Sequence, residues 1–543
     1  MTEPTPGWYK RAVFYETPVY AFGDSDGDGI GDFPGLTARL DYLQWLGIDC
    51  IWLLPFYESP LHDGGYDVSD FEAVLPRYGN VENVVAFLAA AHERGLRVIT
   101  DMIVNHTSDQ HPWFQAARQP GSPTRSRYVW SETPDRYPNA RVIFIDTQDS
   151  NWSWDPVAGV YYWHRFFEHQ PDLNFDDPWV RNAIKDVVRF WLDKGFDGLR
   201  LDAVPYLYER DGTNGENLPE THEYLKELRA MVDEEYPGRI LLAEANQWPE
   251  DVVPYFGDDD ECHMAFHFPV MPRLFMALKQ QRAGAVIDIL ARTPPIPATA
   301  QWGIFLRNHD ELTLEMVTEQ ERAYMYAQYA PDPQMRKNLG IRRRLAPLLD
   351  GDRRRIELLQ SLVLSLPGSP FLYYGDEIGM GDEYLLEDRD GVRTPMQWDD
   401  SPSAGFSPAD PDDLYLPLVS APEYAPATLN VAAARSDEGS LLNRIRRLIA
   451  IRSAHPAFGL GDYVAVTADH PAAMAFLRRA AGEQILVVAN FSERDIRTSL
   501  ALAEPAHWID IGPNRPDTWS TGSAFELPPY GCRWLTAASD GVD

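Results

Sequence analysis

Eight short apolar runs recur along this chain, at 12–20, 50–55, 97–105, 198–202, 240–245, 264–269, 302–308 and 370–375, with helical segments between them. Near-continuous apolar runs suit strands buried on both faces, as parallel sheets require. The intervening stretches, such as 81–94 and 176–194, repeat apolar residues at helical spacing. Eight such alternations predict a closed (β/α)8 barrel rather than an open doubly wound sheet. With 543 residues the chain can hold that barrel and a smaller domain as well. We expect the barrel over 1–106 and 173–455. The segment 107–172, too long for an ordinary βα loop and rich in Pro, Asp, Trp and Tyr, reads as an inserted subdomain B overhanging the third strand. A second irregular insertion covers 384–440, and a helix over 441–453 closes the barrel. Strand-like runs at 462–466, 473–477, 484–488 and 532–535 predict a C-terminal all-β sandwich domain over 456–543.

Four of the strand ends carry acids: Asp101-Met-Ile-Val-Asn-His106, Gly198-Leu-Arg-Leu-Asp202, Leu241-Leu-Ala-Glu244 and Leu306-Arg-Asn-His-Asp310. In a barrel all such ends meet on one face, where catalytic groups arrive from several strands. Three acids there, with Arg200, His106 and His309, suit glycoside chemistry, which needs one carboxyl as nucleophile and one as acid then base. Asp202 follows Arg200 by two, so both point to one side of a strand. It is the expected nucleophile, with the cation lowering its pKa. Glu244 ends an apolar run that should raise its pKa, as an acid/base needs. Asp310 is the third acid, and His106 and His309 can donate to ring hydroxyls.

Gly65-Tyr66-Asp67 follows the second strand. Tyr66 can stack under a sugar ring and Asp67 accept from its outer hydroxyls, leaving a pocket for one unit. Arg393 is either an ordinary loop cation or reaches Asp67 or an acceptor sugar. Glu311 and Glu315 either pair with bases across the mouth or form a solvated helix face. Asp24-Ser-Asp26-Gly-Asp28-Gly-Ile30-Gly-Asp32 places oxygens at alternate positions, with the Ile30 carbonyl filling the gap, as calcium loops do. Position twelve of that count is Gly35 rather than Glu, so the loop stands alone and is not an EF-hand.

The four acidic segments resemble, in order and residue by residue, the signature regions of the α-amylase superfamily of retaining α-glycosidases and transglycosidases. Further stretches look like one branch of it, the trehalose synthases (maltose α-D-glucosyltransferases). These are Gln170-Pro-Asp-Leu-Asn174, Ala203-Val-Pro-Tyr-Leu-Tyr-Glu209, Glu244-Ala-Asn-Gln-Trp248, Glu261-Cys-His-Met-Ala-Phe-His-Phe268 and Arg307-Asn-His-Asp-Glu-Leu-Thr-Leu-Glu315. The resemblance implies that Asp310 grips hydroxyls of a distorted ring, that Gln148 stands at a sugar contact where relatives carry a carboxylate, and that Asn246 binds the second glucose. It also implies a second calcium site from Asn105, Asp172, Glu209 and the carbonyls of Tyr206 and Leu207. Both ions would be structural, and no organic cofactor is expected. The implied reaction opens maltose through a glucosyl–Asp202 intermediate and closes it as trehalose, with minor hydrolysis; an α-1,4-glucosidase or amylase-type hydrolase is the alternative. A non-catalytic transporter subunit would lack members of the triad, which this chain keeps.

The net charge of −34 disfavours nucleic acid and anionic membrane but leaves a neutral disaccharide unaffected. The N-terminus has no apolar leader-like core, and no window approaches a membrane span. Three cysteines far apart (Cys50, Cys262, Cys532) argue for a reducing, cytoplasmic setting and against a disulfide framework or a zinc site. Homo-oligomer formation stays open.

Overall fold

The structure is a computed structural model and describes residues 7–503, 506–513 and 517–537. Eight parallel strands close a barrel: β1 (Phe14–Thr17), β2 (Cys50–Leu53), β3 (Arg97–Ile103), β4 (Gly198–Asp202), β5 (Ile240–Ala243), β6 (Met264–Phe266), β7 (Gln301–Phe305) and β8 (Ser369–Tyr373). Each strand pairs with its sequence neighbours, and β8 returns to β1 with Phe14 opposite Phe371. The rings of that pair stack at 4.2 Å and, with Trp52 and Phe266, fill the barrel axis. The fold expected from the sequence is therefore present. The first run is shorter than expected. Pro18 has no N–H to extend the ladder, and Val19–Phe22 turns into a helix.

Two backbone features set the carboxylate geometry. Gly198 lets β4 approach β5 closely, since a Cβ there would lie 2.6 Å from the Ile240 carbonyl oxygen. The register then places Leu242 opposite Arg200, and Glu244 donates its backbone N–H to Leu201. At the other end of the barrel, buried Asp197 accepts from the Val98 N–H and pairs with His92, Arg97 and Arg239. Burial alone would raise its pKa, but His92, Arg239 and the Val98 N–H hold it below the usual carboxylate range. That face carries stability, and the opposite face carries chemistry.

Three long segments overhang the chemical face. Between β3 and β4 a three-stranded antiparallel sheet (Trp130–Ser131, Val160–Trp163, Trp152–Asp155) has a small core of its own around Tyr137, Trp152 and Trp163. After β7 comes a small sheet with the helix Glu319–Tyr329, and after β8 a long stretch in which 384–430 forms only short 3-10 turns. A helix, Leu441–Ala454, leads into a seven-stranded antiparallel sheet accompanied by a two-stranded one. Alternation in Ala473–Ala480 divides its faces: Met474 and Phe476 join the barrel core, whereas Ala473, Ala475 and Leu477 pack into the outer core. The strands between 496 and 527, short and poor in apolar alternation, are not evident from the sequence. No helix among the described residues is long and apolar enough to cross a membrane.

Candidate active site

The ends of β4 and β5 present Asp202 and Glu244 to one guanidinium. Arg200, fully buried inside β4, places Nη1 2.8 Å from Asp202 Oδ1 and 3.1 Å from Asp101 Oδ2, and Nη2 2.8 Å from Glu244 Oε1. Directly after Asp202 the chain turns through Ala203 in the left-handed region, φ 56°. That turn aims the Ala203 N–H at Glu244 Oε2, 3.1 Å away. Burial pushes Glu244 up to about 8, with Arg200 opposing and the Asp202 and Asp310 charges reinforcing it. Burial also pushes Asp202 up to about 6, although Arg200 works against it. Arg200 does lower this pKa, as expected, but the net shift is upward, because one cation shared among three buried acids does not repay their lost hydration. The ordering survives, because the two groups are held apart with Asp202 the more acidic.

Asp310, after β7, is held well below the usual carboxylate range. Burial opposes this, but His309, Arg389 and Arg393 outweigh it. Arg389 Nη1 lies 2.7 Å from Asp310 Oδ1, and Arg393 Nη2 lies 3.4 Å from it. His309 stands behind the pocket wall. Its Nδ1 meets Glu16 at 2.6 Å, and its Nε2 lies 2.7 Å from the Tyr66 hydroxyl and 3.1 Å from Asp310. Tyr66 stacks on His309 at 5.4 Å and donates to Asp101. A hydrogen-bonded chain thus runs from Glu16 through His309, Tyr66 and Asp101 to Arg200. It orients the site from beneath.

The pocket is lined by Asp63, Tyr66, His106, Asp202, Glu244, Asn246, Asp310, Glu311 and Arg389, with apolar walls from Ile143, Phe144, Phe166, Phe268 and Phe305. His106 is kept neutral by burial, which pushes it down to about 3, and its Nε2 has no protein partner. Asn246 donates to Thr313 Oγ1 and leaves Oδ1 unpartnered.

Besides His309, three expected sugar contacts lie elsewhere. Asp67 is fully buried behind the loop, accepting from Ser59 Oγ and from the His62 and Asp63 N–H groups. The carboxylate that faces the pocket is Asp63, three residues before Tyr66, which pairs with Arg389 at 2.6 Å and accepts from Gln170. Arg393 reaches the His309 carbonyl and Asp310, not Asp67. Gln148 is half-buried outside the pocket wall, which this segment supplies instead through Ile143 and Phe144. Asp63, Arg389 and Glu16 were missed, and Asp101, though named among the strand-end acids, was given no role. The available signals were the acid in His62-Asp63-Gly64-Gly65-Tyr66 and the arginine four before Arg393. At the mouth, Arg141 of the inserted segment spans Glu216 at 2.8 Å and Glu315 at 2.6 Å. Glu311 instead accepts from Asn338 inside the pocket wall.

In the loop after β1, carboxylate oxygens of Asp24, Asp26 and Asp28 lie within 4.8 Å of one another. Asp28 accepts from the Ile30 N–H. Asp32 stands apart from that cluster as the cap of the helix Phe33–Ala38, accepting from Gly35 N and Ser25. Beneath the inserted segment, Asn105 Oδ1 and Asp172 Oδ2 are buried without hydrogen-bond partners. Burial pushes Asp172 up to about 7 and also raises Glu209, whose next largest cause is the Asp172 charge. Tyr206 and Leu207 follow in and after the turn Val204–Tyr206.

Comparison with known proteins places these features in a family. Residues 19–330 and 342–461 match the alpha amylase catalytic domain, and 463–534 match the maltogenic amylase C-terminal domain. The chain is 61% identical to the trehalose synthase/amylase TreS of Mycobacterium tuberculosis (strain ATCC 25618 / H37Rv), covering 99% of this chain and 91% of that one. It is 57% identical to the trehalose synthase of Pimelobacter sp. (strain R48), over 90% of this chain and 87% of that one. Among solved structures, the trehalulose synthase MutB from Pseudomonas mesoacidophila MX-45 superposes with a TM-score of 0.79 at 29% identity, covering 98% of this chain and all of that one. The chain is an enzyme of the α-amylase family and belongs, within it, to the trehalose synthases.

Proposed function

We propose that the enzyme interconverts maltose and trehalose by a retaining double displacement, with minor release of glucose. The observation that carries this is the pairing of Asp202 and Glu244 on two prongs of Arg200. One guanidinium, 2.8 Å from each, holds the two carboxyls side by side. Retaining enzymes hold the two carboxyls about 5–5.5 Å apart, whereas inverting ones leave room for a water. In the first step Asp202 attacks the anomeric carbon of the non-reducing glucosyl unit while Glu244 gives its proton to the departing glycosidic oxygen. The released glucose stays in the pocket and turns. Its anomeric hydroxyl then attacks the glucosyl–Asp202 ester, Glu244 takes the proton, and Asp202 leaves as a carboxylate. Asp310, gripped by two arginines, binds ring hydroxyls. The Asp63–Arg389 pair walls off the non-reducing end and favours a single ring there.

The second half-reaction decides between trehalose and glucose. Arg141 bridging Glu216 and Glu315 across the mouth supports retention of glucose and exclusion of water. The names of the similar trehalose synthases point the same way. A time course with maltose alone, separating trehalose from glucose, tests the reading: trehalose as main product is expected, and predominant glucose makes the enzyme a hydrolase.

Calcium fits two places. The clustered oxygens of Asp24, Asp26 and Asp28 are hard donors of the kind Ca2+ takes, as are the buried oxygens of Asn105 and Asp172 that have no hydrogen-bond partner and the buried carboxylate of Glu209. The Tyr206 and Leu207 carbonyls would complete the second set. Neither site touches the reacting atoms, so both ions would stabilise loops. The three unpaired cysteines suit a reducing cytoplasm.

A further inference from the structure

Outside the pocket, two histidines and a carboxylate converge where the loop after β2 meets the inserted segment. One ligand atom from each of His62, Asp67 and His169 lies within 4.8 Å of the others. The two imidazoles stand edge to face at 5.1 Å, and His62 Nδ1 is 3.9 Å from Asp67 Oδ2. Two imidazoles and one carboxylate suit a borderline-soft dication such as Zn2+ or Co2+, whereas Ca2+ takes oxygen ligands.

Three observations show a built site. Asp67 is fully buried, and Ser59 Oγ and two backbone N–H groups fix its orientation, the outer support a metal-binding carboxylate receives. Among the described residues, only a histidine lies within ion-pair distance of it, and a buried carboxylate without a cation is costly. His169 Nε2 is buried and has no hydrogen-bond partner, while the carboxylates of Asp67, Asp63 and Asp109 all bear on that ring. His62, about half exposed, leaves a route from solvent.

We propose that His62, Asp67 and His169 bind a transition-metal dication of the Zn2+ class, with water in the remaining position. Bonds of about 2.0–2.1 Å at a tetrahedral centre put ligand atoms about 3.4 Å apart. The gap of 3.9 Å closes by a small rotation of His62. The ion staples the loop after β2 to the inserted segment. Its effect reaches the pocket through the next residues along: Gln170, beside His169, holds Asp63, beside His62, and Asp63 holds Arg389.

The test is a Co2+ titration of the full-length, Ca2+-saturated enzyme, followed by visible absorption. Wild type should bind one Co2+ per chain with the intense bands of a four- or five-coordinate ion, and Zn2+ should displace them. His62→Ala and His169→Ala should lose the bands with near-ultraviolet circular dichroism unchanged. Ser59→Ala, which removes only support, should weaken binding roughly 10–100-fold. Should His169→Ala not fold, the half-exposed His62→Ala carries the test alone. Absence of such bands in wild type, or bands that persist in folded His62→Ala, overturns the site.

Discussion

Asp63, on the loop after β2, meets Arg389, on the loop after β8, at 2.6 Å, and Arg389 in turn holds Asp310 at 2.7 Å. Two loops far apart in sequence therefore set one wall of the pocket. Truncating one partner of a buried charge pair costs about 2–5 kcal/mol, because the other charge stays buried and unpaired. Asp63→Ala should lower kcat/KM for maltose by roughly 10²-fold or more, since each 1.36 kcal/mol is about tenfold in rate. Asp67→Asn, behind the wall, should lower Tm with a far smaller kinetic effect. The opposite ranking would return the sugar contact to Asp67.

The pH dependence follows from the separated carboxyls. Asp202 must be ionised to attack, so activity falls as pH drops through about 6. Glu244 must be protonated to release the leaving group, so activity falls as pH rises through about 8. A bell-shaped kcat/KM profile between these limits is expected, its two values belonging to the coupled pair. A profile flat from pH 5 to 9 (roughly the span a shifted pair should shape) would remove this assignment.

Glu244→Gln should lower kcat/KM on maltose by roughly 10²–10⁴-fold. With α-glucosyl fluoride, whose leaving group needs no proton, the first step should proceed and a glucosyl-enzyme accumulate, visible by intact mass spectrometry on Asp202. Turnover of maltose at the wild-type rate would exclude Glu244 as the acid.

Arg141 ties the inserted segment to the elements after β4 and β7 through Glu216 and Glu315. Arg141→Ala frees the mouth while leaving the triad in place. The glucose-to-trehalose ratio from maltose should rise, with consumption of maltose less affected. An unchanged ratio would show that water is excluded by some other contact.

Chelation with EGTA should lower Tm, with kcat measured well below it unchanged. A ligand present at a hundred times its Kd contributes about 2.7 kcal/mol, so the shift should reverse on adding Ca2+. A loss of kcat at constant Tm would place calcium in the chemistry instead.

The barrel was legible because parallel strands buried on both faces leave apolar runs that need no partner to recognise. Asp202, Glu244 and Asp310 were legible for the same reason: each ends or follows such a run, where a carboxylate is out of place unless used. Asp63 and Arg389 were not, because both lie on irregular loops whose acids and bases outnumber those that face the pocket. Asp67 was misplaced because Gly65-Tyr66-Asp67 gives no sign of which side chain the turn buries. The sign of the Asp202 shift also escaped, since the spacing to Arg200 is local but burial is a property of the assembled barrel. Arg200 was counted as a partner of one acid, while the fold makes it serve three.

The clamp on Asp310 has a consequence for how the enzyme comes into being. Arg389 and Arg393 follow Asp310 by 79 and 83 positions, and the histidine beside it leans on Glu16, 293 positions earlier in β1. A ribosome-bound chain that has emerged only as far as Asp310 owns every reacting carboxyl yet lacks both Arg389 and Arg393, the arginines that pair with the last of them. The reaction centre is therefore complete only once the eighth strand and the loop after it have been made, and recovery of activity reports closure of the whole ring.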